Sequence, residues 1–231
     1  MLPTFGYAHG DHWSDFKATG DTDNDSRVSW DFEELKDGQL PLGWQAEKLN
    51  EQDNETLWIT RNDDTMASPT MVLAITATPS GNGNNFNMCW TDRVKFQDGA
   101  IELNIKKDSG EIDQGGGIIW RVQDRDNYYL TRWNPLENNL RLYRVVQGRR
   151  EQLASCEVPD DQGTWHSLRI EQMGSEIKCF FDTGDTLFLQ DSTFPQAGGV
   201  GVWTKADAHT SFDDIDVQGW APDKSPAHDP R

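Results

Sequence analysis

The chain has 231 residues, with 39 acidic against 21 basic side chains and a formal charge of −18. Ten Trp, ten Phe and four Tyr supply burial area that excludes a wholly disordered polymer, and at ~100–200 residues per domain the length fits one domain or two small ones. The acidic balance argues against nucleic acid and an anionic membrane as partners, and no apolar run approaches the ~20 residues that cross a bilayer.

Residues 1–28 are polar, rich in Asp, Gly and Ser, and read as an N-terminal arm. Met1 to Gly10 carries neither the cationic start nor the apolar stretch of a secretory leader, so a periplasmic or extracellular location is expected only if a leader has been removed. Asp31 to Lys36 has the makings of a single helical turn. From Gly99 onward the chain reads as strand and turn. Ile101, Leu103 and Ile105 alternate with polar neighbours, as a half-buried strand does. Gly116 to Val122 is a second strand, and Gln123 to Asn127 has turn chemistry. Strands follow over Tyr128–Trp133, Leu140–Val146, Glu151–Val158, Trp165–Gln172, Glu176–Asp182, Thr186–Gln190, Gly199–Thr204 and Ser211–Gln218. Short strands at roughly 8–12-residue spacing predict an all-β sandwich of two antiparallel sheets over 29–220. Residues 221–231 hold three prolines and read as a flexible tail. The three cysteines form no Cys-x-x-Cys and read as buried thiols, with Cys156 to Cys179 as the one bridge considered.

Several segments carry a resemblance. Asp31-Phe-Glu33 with Gly43-Trp44, Gly117-Ile-Ile-Trp-Arg121, Asp126-Asn-Tyr-Tyr-Leu-Thr-Arg132, Asn139-Leu-Arg-Leu-Tyr143, Trp165-His-Ser-Leu-Arg-Ile170, Gly199-Val-Gly-Val-Trp203 and Phe212-Asp-Asp-Ile215 are among them. The chain from about Trp30 to Trp220 resembles concanavalin A-like lectin/glucanase jelly rolls. More narrowly, it resembles the bacterial 3-keto-disaccharide hydrolase, or family 16 glycoside hydrolase-like, domains. The resemblance implies a jelly-roll sandwich and a carbohydrate partner, and leaves lectin and hydrolase open because one fold hosts both.

A hydrolase of that type uses Glu-x-Asp-x-x-Glu, whose outer carboxylates act at ~5–5.5 Å separation. Glu111-Ile-Asp113 begins the pattern, but Gly116 stands where the last carboxylate belongs. The remaining candidates for acids, Glu102, Asp124, Asp126 and Glu171, stand in no diagnostic pair. Strand parity gives a second expectation. With Leu130, Leu140, Leu142, Trp120, Val200 and Val202 inward, one outer face gathers Tyr129, Trp133, Tyr143 and Trp203 with Arg121, Arg141 and Lys205. Aromatic faces with a few placed polar groups suit a sugar. Arg132 falls on the opposite parity, yet in the resembled family its segment borders the ligand cleft. Asp31 and Glu33 at the start of the domain and Asp213 and Asp214 at its end are hard oxygen donors that a structural Ca²⁺ would take. The leading expectation is a glycan-binding module on an aromatic- and Arg-lined sheet face. The alternatives are a glycoside hydrolase (3-keto-glycoside or glucan type) in the same groove and a laminin G-like protein-interaction domain.

Overall fold

The computed structural model describes residues 25–49, 57–65, 70–77, 83, 85–158 and 164–220. The expected tail lies outside the described residues, as does the expected arm up to residue 24. The rest of that arm, from Asp25, is already strand. Fifteen strands are described and no helix accompanies them. They are β1 (Asp25–Trp30), β2 (Trp44–Leu49), β3 (Leu57–Asp63), β4 (Thr70–Ala77), β5 (Phe86–Phe96), β6 (Asp98–Ser109), β7 (Gly116–Asp124) and β8 (Asn127–Asn134). There follow β9 (Asn139–Val146), β10 (Arg149–Glu157), β11 (His166–Met173), β12 (Glu176–Phe181), β13 (Asp185–Gln190), β14 (Gly198–Lys205) and β15 (His209–Trp220). Asp31–Lys36 forms a turn, in which the Leu35 N–H donates to the Phe32 carbonyl at 2.9 Å, rather than a helix.

The strands form two antiparallel sheets packed as a jelly-roll sandwich. Sheet A runs β13-β12-β11-β6-β15-β4-β3, with β1 also paired to β15. Sheet B runs β10-β9-β8-β7-β14-β5-β2. In sheet A, alternation decides which side is buried. His166, Leu168, Ile170 and Gln172 of β11 are buried, while Ser167, Arg169 and Glu171 between them are half-buried. In sheet B, β7, β8 and β14 are buried along most of their length, and β9 buries residues of both parities, so both faces are covered. One side joins the inter-sheet core with Ile118, Trp120, Tyr129, Trp133, Leu140, Leu142, Val200 and Val202. The other side packs a second apolar layer of Leu49, Phe86, Met88, Trp90, Ile119, Val122, Tyr128, Leu130, Tyr143, Val145 and Trp203.

The second layer exists because sheet B is twisted and curled. Leu49 ends the edge strand β2, and Gly148 lies in the turn before the opposite edge strand β10. A Cβ on Gly148 would lie 3.6 Å from the Leu49 side chain. Opposite corners of the sheet therefore meet, as right-handed twist accumulated over seven strands allows, and the outer face becomes the inside of a curl.

Candidate functional site

The registers across sheet B place the outer-face side chains in transverse rows. Arg141 pairs with Arg132, Arg132 with Gly117, Gly117 with Trp203, and Trp203 with Met88. Five residues expected at a binding face share this side: Arg132, Arg141, Tyr143, Trp203 and Lys205. Arg132 and Lys205 both contact the buried Asp113 carboxylate, Arg132 through Oδ1 and Lys205 through Oδ2 at 3.3 Å. Asn134 adds an Nδ2 donor to Oδ1 at 3.4 Å, and the Gln114 N–H donates to the same oxygen at 2.9 Å. Arg141 donates to Glu137 Oε2 at 2.6 Å, and Arg132 lies 3.8 Å from that oxygen.

Asp113 and Glu137 were not foreseen in these roles. Asp113 sits in the loop before β7, not on a strand as a Glu-x-Asp-x-x-Glu motif requires. The Asp207 carboxylate holds that loop, accepting the N–H groups of Glu111 at 2.7 Å, Ile112 at 3.0 Å and Asp113 at 2.9 Å. Burial alone would raise the Glu137 pKa. The Asn139 amide and the charges of Arg132, Arg141 and Lys205 outweigh burial and hold its carboxyl below the ordinary carboxylate range. Both carboxylates of this cluster are thus acceptors fixed by cations, and the surroundings of Glu137 do not favour a carboxylic acid with a proton to give.

Arg150 was also not foreseen. It pairs with Val145, which puts it on the outer face. Its guanidinium lies 4.5 Å from the centroid of the Tyr143 ring, 5.0 Å from Phe86 and 5.6 Å from Trp203. The aromatic rings do not form the open stacking platform that parity suggested. Trp203 and Tyr128 have no exposed surface and Tyr143 retains 3%. The exposed part of the face is its polar rim, where the side chains of Glu137, Arg141 and Lys205 keep 47%, 29% and 22% of their surface.

Three expected ligand residues lie elsewhere. Tyr129 and Trp133 face the inter-sheet core, so their expected outward parity is reversed. Trp133 packs on Phe181 of sheet A at 5.3 Å and on His166 at 4.7 Å. Tyr129 stacks on Trp120 at 5.5 Å and donates to Asp191 Oδ1 at 2.5 Å. Arg121 sits at a register break of β7 with φ 46°. The bulge turns it to the sandwich end, where it donates to the carbonyls of Gln97 (2.8 Å), Phe194 (2.6 Å) and Gly174 (3.0 Å) and pairs with Asp98 at 3.2 Å.

The four candidate acids do not converge on this face. Glu102 and Glu171 lie on the outer side of sheet A, where Arg169 bridges them at 2.9 Å and 3.1 Å. Asp124 ends β7 and Asp126 lies in the turn after it: Asp124 Oδ1 accepts the Asp126 N–H at 2.8 Å and the Asn127 amide at 2.9 Å. The carboxylates expected to hold Ca²⁺ meet protein donors. Glu33 Oε1 accepts the Thr70 hydroxyl at 2.6 Å and the Met71 N–H at 2.9 Å. Asp213 accepts the Asp214 N–H at 2.8 Å and lies 3.1 Å from the Thr70 hydroxyl. Asp214 accepts the Asn104 amide at 2.9 Å, and Asp31 the Glu33 N–H at 3.3 Å. Among the described residues no group of three or more His, Cys, Asp or Glu is placed to hold a metal ion. Cys89, Cys156 and Cys179 are not joined in disulfides, so the bridge considered between Cys156 and Cys179 is not formed.

No family model matches the chain, and no curated protein matches it. Solved structures do. The carbohydrate binding module CBM66 from Bacillus subtilis is 20% identical with a TM-score of 0.55, over 75% of this chain and 93% of that one. The laminarinase from Rhodothermus marinus is 15% identical with a TM-score of 0.57, over 84% and 97%. The Bacteroides ovatus mixed linkage glucan GH16, solved with a G4G4G3G product, is 11% identical with a TM-score of 0.58, over 83% and 99%. The chain therefore has the concanavalin A-like jelly-roll fold found in carbohydrate-binding modules and glucanases. At these identities the likeness is one of architecture.

Proposed function

We propose that the chain is a carbohydrate-binding β-sandwich whose ligand lies along the polar rim of the sheet B outer face. The observation that carries this reading is the convergence of Arg132, Arg141 and Lys205 on Asp113 and Glu137, at the edge of a curled sheet stiffened by buried rings. Such a rim offers fixed donors and acceptors to sugar hydroxyls, while the packed layer beneath holds them in place. The solved structures of like fold include a carbohydrate-binding module and glucanases, which favours a sugar ligand over a protein one.

On this face, binding is favoured over hydrolysis. General-acid cleavage of a glycosidic bond needs a carboxyl that keeps its proton near neutral pH beside an ionised partner. Glu137 is pulled the other way, and Asp113 is paired with two cations. A glycan panel titrated calorimetrically, with release of reducing sugar followed in parallel, tests the reading. Binding without turnover is expected. Arg141→Ala should weaken binding at least tenfold with little change in melting temperature, whereas Glu102→Ala on the opposite sheet should leave it unaltered. Silence across the whole panel would sink the proposal.

A further inference from the structure

Of the three arginines on the sheet B outer face, Arg132 bonds Asp113 and Arg141 bonds Glu137. Arg150 meets no carboxylate within ion-pairing distance among the described residues. Its Nη1 is buried with no hydrogen-bond partner, and its contacts are the rings of Tyr143, Phe86 and Trp203. Ring faces offset part of the cost of a desolvated cation but do not neutralise it. Burial lowers the Arg150 pKa and the Arg132 charge adds to the fall, against Tyr143, Asp113 and Tyr128. A guanidinium nevertheless remains charged in a protein. The face therefore carries Arg132, Arg141, Arg150 and Lys205 against Asp113, Glu137 and Glu47, the last already accepting the Trp90 indole N–H at 2.8 Å; four cations thus face three carboxylates on a chain whose formal charge is −18.

We propose that this face takes an acidic glycan, with the carboxylate of a uronic acid residue received by Arg150. The inference rests on the carbohydrate reading above and adds the charge of the ligand. A carboxylate presents two oxygens in one plane, which matches the guanidinium fork. The hydroxyls of the same sugar suit the acceptors and donors of Glu137, Arg141 and Lys205. Tyr143 links the two regions, since its ring lies under Arg150 and it stands two residues from Arg141 on β9. A sulfate ester brings the same sign of charge on a tetrahedral group, and the planar fork favours the carboxylate.

The test titrates the full chain with uronate oligosaccharides, with their methyl esters, and with sulfated oligosaccharides of similar length. The uronates should bind at least tenfold more tightly than the esters, which keep the sugar and lose the charge. Arg150→Gln should abolish that difference, and Arg150→Lys should retain part of it. Should Arg150→Gln fail to fold, the comparison of acid with ester on the unmodified chain still decides. Esters binding as tightly as acids would overturn the acidic ligand and leave the carbohydrate reading standing. A preference for sulfated sugars alone would overturn the carboxylate assignment, and an acid preference surviving in Arg150→Gln would remove that residue as the anchor. No binding to any saccharide, acidic or neutral, would bring down the carbohydrate reading itself.

Discussion

Thr70 has a single hydroxyl hydrogen and two carboxylates against it, Glu33 at 2.6 Å and Asp213 at 3.1 Å. Protonating one carboxylate satisfies all three groups. Burial raises the Asp213 pKa, and the neighbouring charges of Asp214 and Glu33 add to the rise against the Asp214 N–H and Thr70, leaving it at about 7. The Thr70 and Met71 donors lower that of Glu33. Asp213 thus keeps the proton and donates it to Thr70, which donates in turn to Glu33. An unfolded Asp titrates near 3.8, so between that pH and about 7 the folded state binds more protons than the unfolded one. The Asp213 contribution is fully present below pH 3.8 and is lost as pH rises through 7, by up to about 4 kcal/mol. Asp63 behaves oppositely. Its burial is outweighed by Lys106 and Thr65, its pKa falls to about 2, and its contribution is lost as pH falls from 3.8 through that value. Melting temperature followed from pH 4 to 8 should decline for the unmodified chain and decline less for Asp213→Asn; equal slopes would rule out the shared proton. None of this was legible in the sequence, where Asp213 and Asp214 read alike as oxygen donors for a cation. Thr70 lies far from both along the chain.

At the scale of single strands, legibility depended on whether one face of the element is polar. Leu140 and Leu142 of β9 were assigned inward correctly, and so were Val200 and Val202 of β14, which places Tyr143 and Trp203 on the other side. In β8 both parities are apolar, with Tyr128 and Leu130 against Tyr129 and Trp133. Period-2 alternation then cannot say which set meets sheet A, and the choice of Leu130 as inward reversed the strand. The Arg150 position, by contrast, was readable. Gln147-Gly148, with φ 50° and 73°, is a two-residue hairpin turn that fixes Val146 opposite Arg149 and Val145 opposite Arg150. Parity carried one strand further would have placed Arg150 beside Tyr143. The Arg121 bulge has no comparable signal. Within β7, Gly117 is needed because β8 passes close by: a Cβ there would collide with the Thr131 carbonyl oxygen. Gly117→Ala should cost about 2–3 kcal/mol and lower the melting temperature by roughly 5–10 °C. Gly184→Ala, where a Cβ meets nothing within 4 Å, should leave it unchanged.

The whole molecule was easier to foresee than its site. Ten strands after residue 98 fall close to the spacing read from turns and alternation, and that spacing suffices for a two-sheet sandwich. The first five strands were less visible. Met71 to Ile75 in β4 is a continuous buried run, whose apolar residues show no period to distinguish strand from helix. The curl of sheet B was beyond reach, because it arises from twist summed over seven strands rather than from any local pattern. It converts an expected open hollow into a packed layer with a charged rim, and it explains why Arg141 and Lys205 remain accessible while Tyr143 and Trp203 do not.

The pairing of β1 with β15 sets Asp25 opposite Trp220, so the polypeptide enters and leaves the sandwich through one doorway. A domain built this way is suited to insertion into a surface loop of a host protein, or to circular permutation, with a short bridge across that doorway. A permutant reopened in the exposed β12–β13 turn at Gly184, with 25 and 220 joined by a few glycines and serines, should fold and melt cooperatively. Collapse of that permutant would mean that strand continuity elsewhere, rather than the doorway, governs assembly.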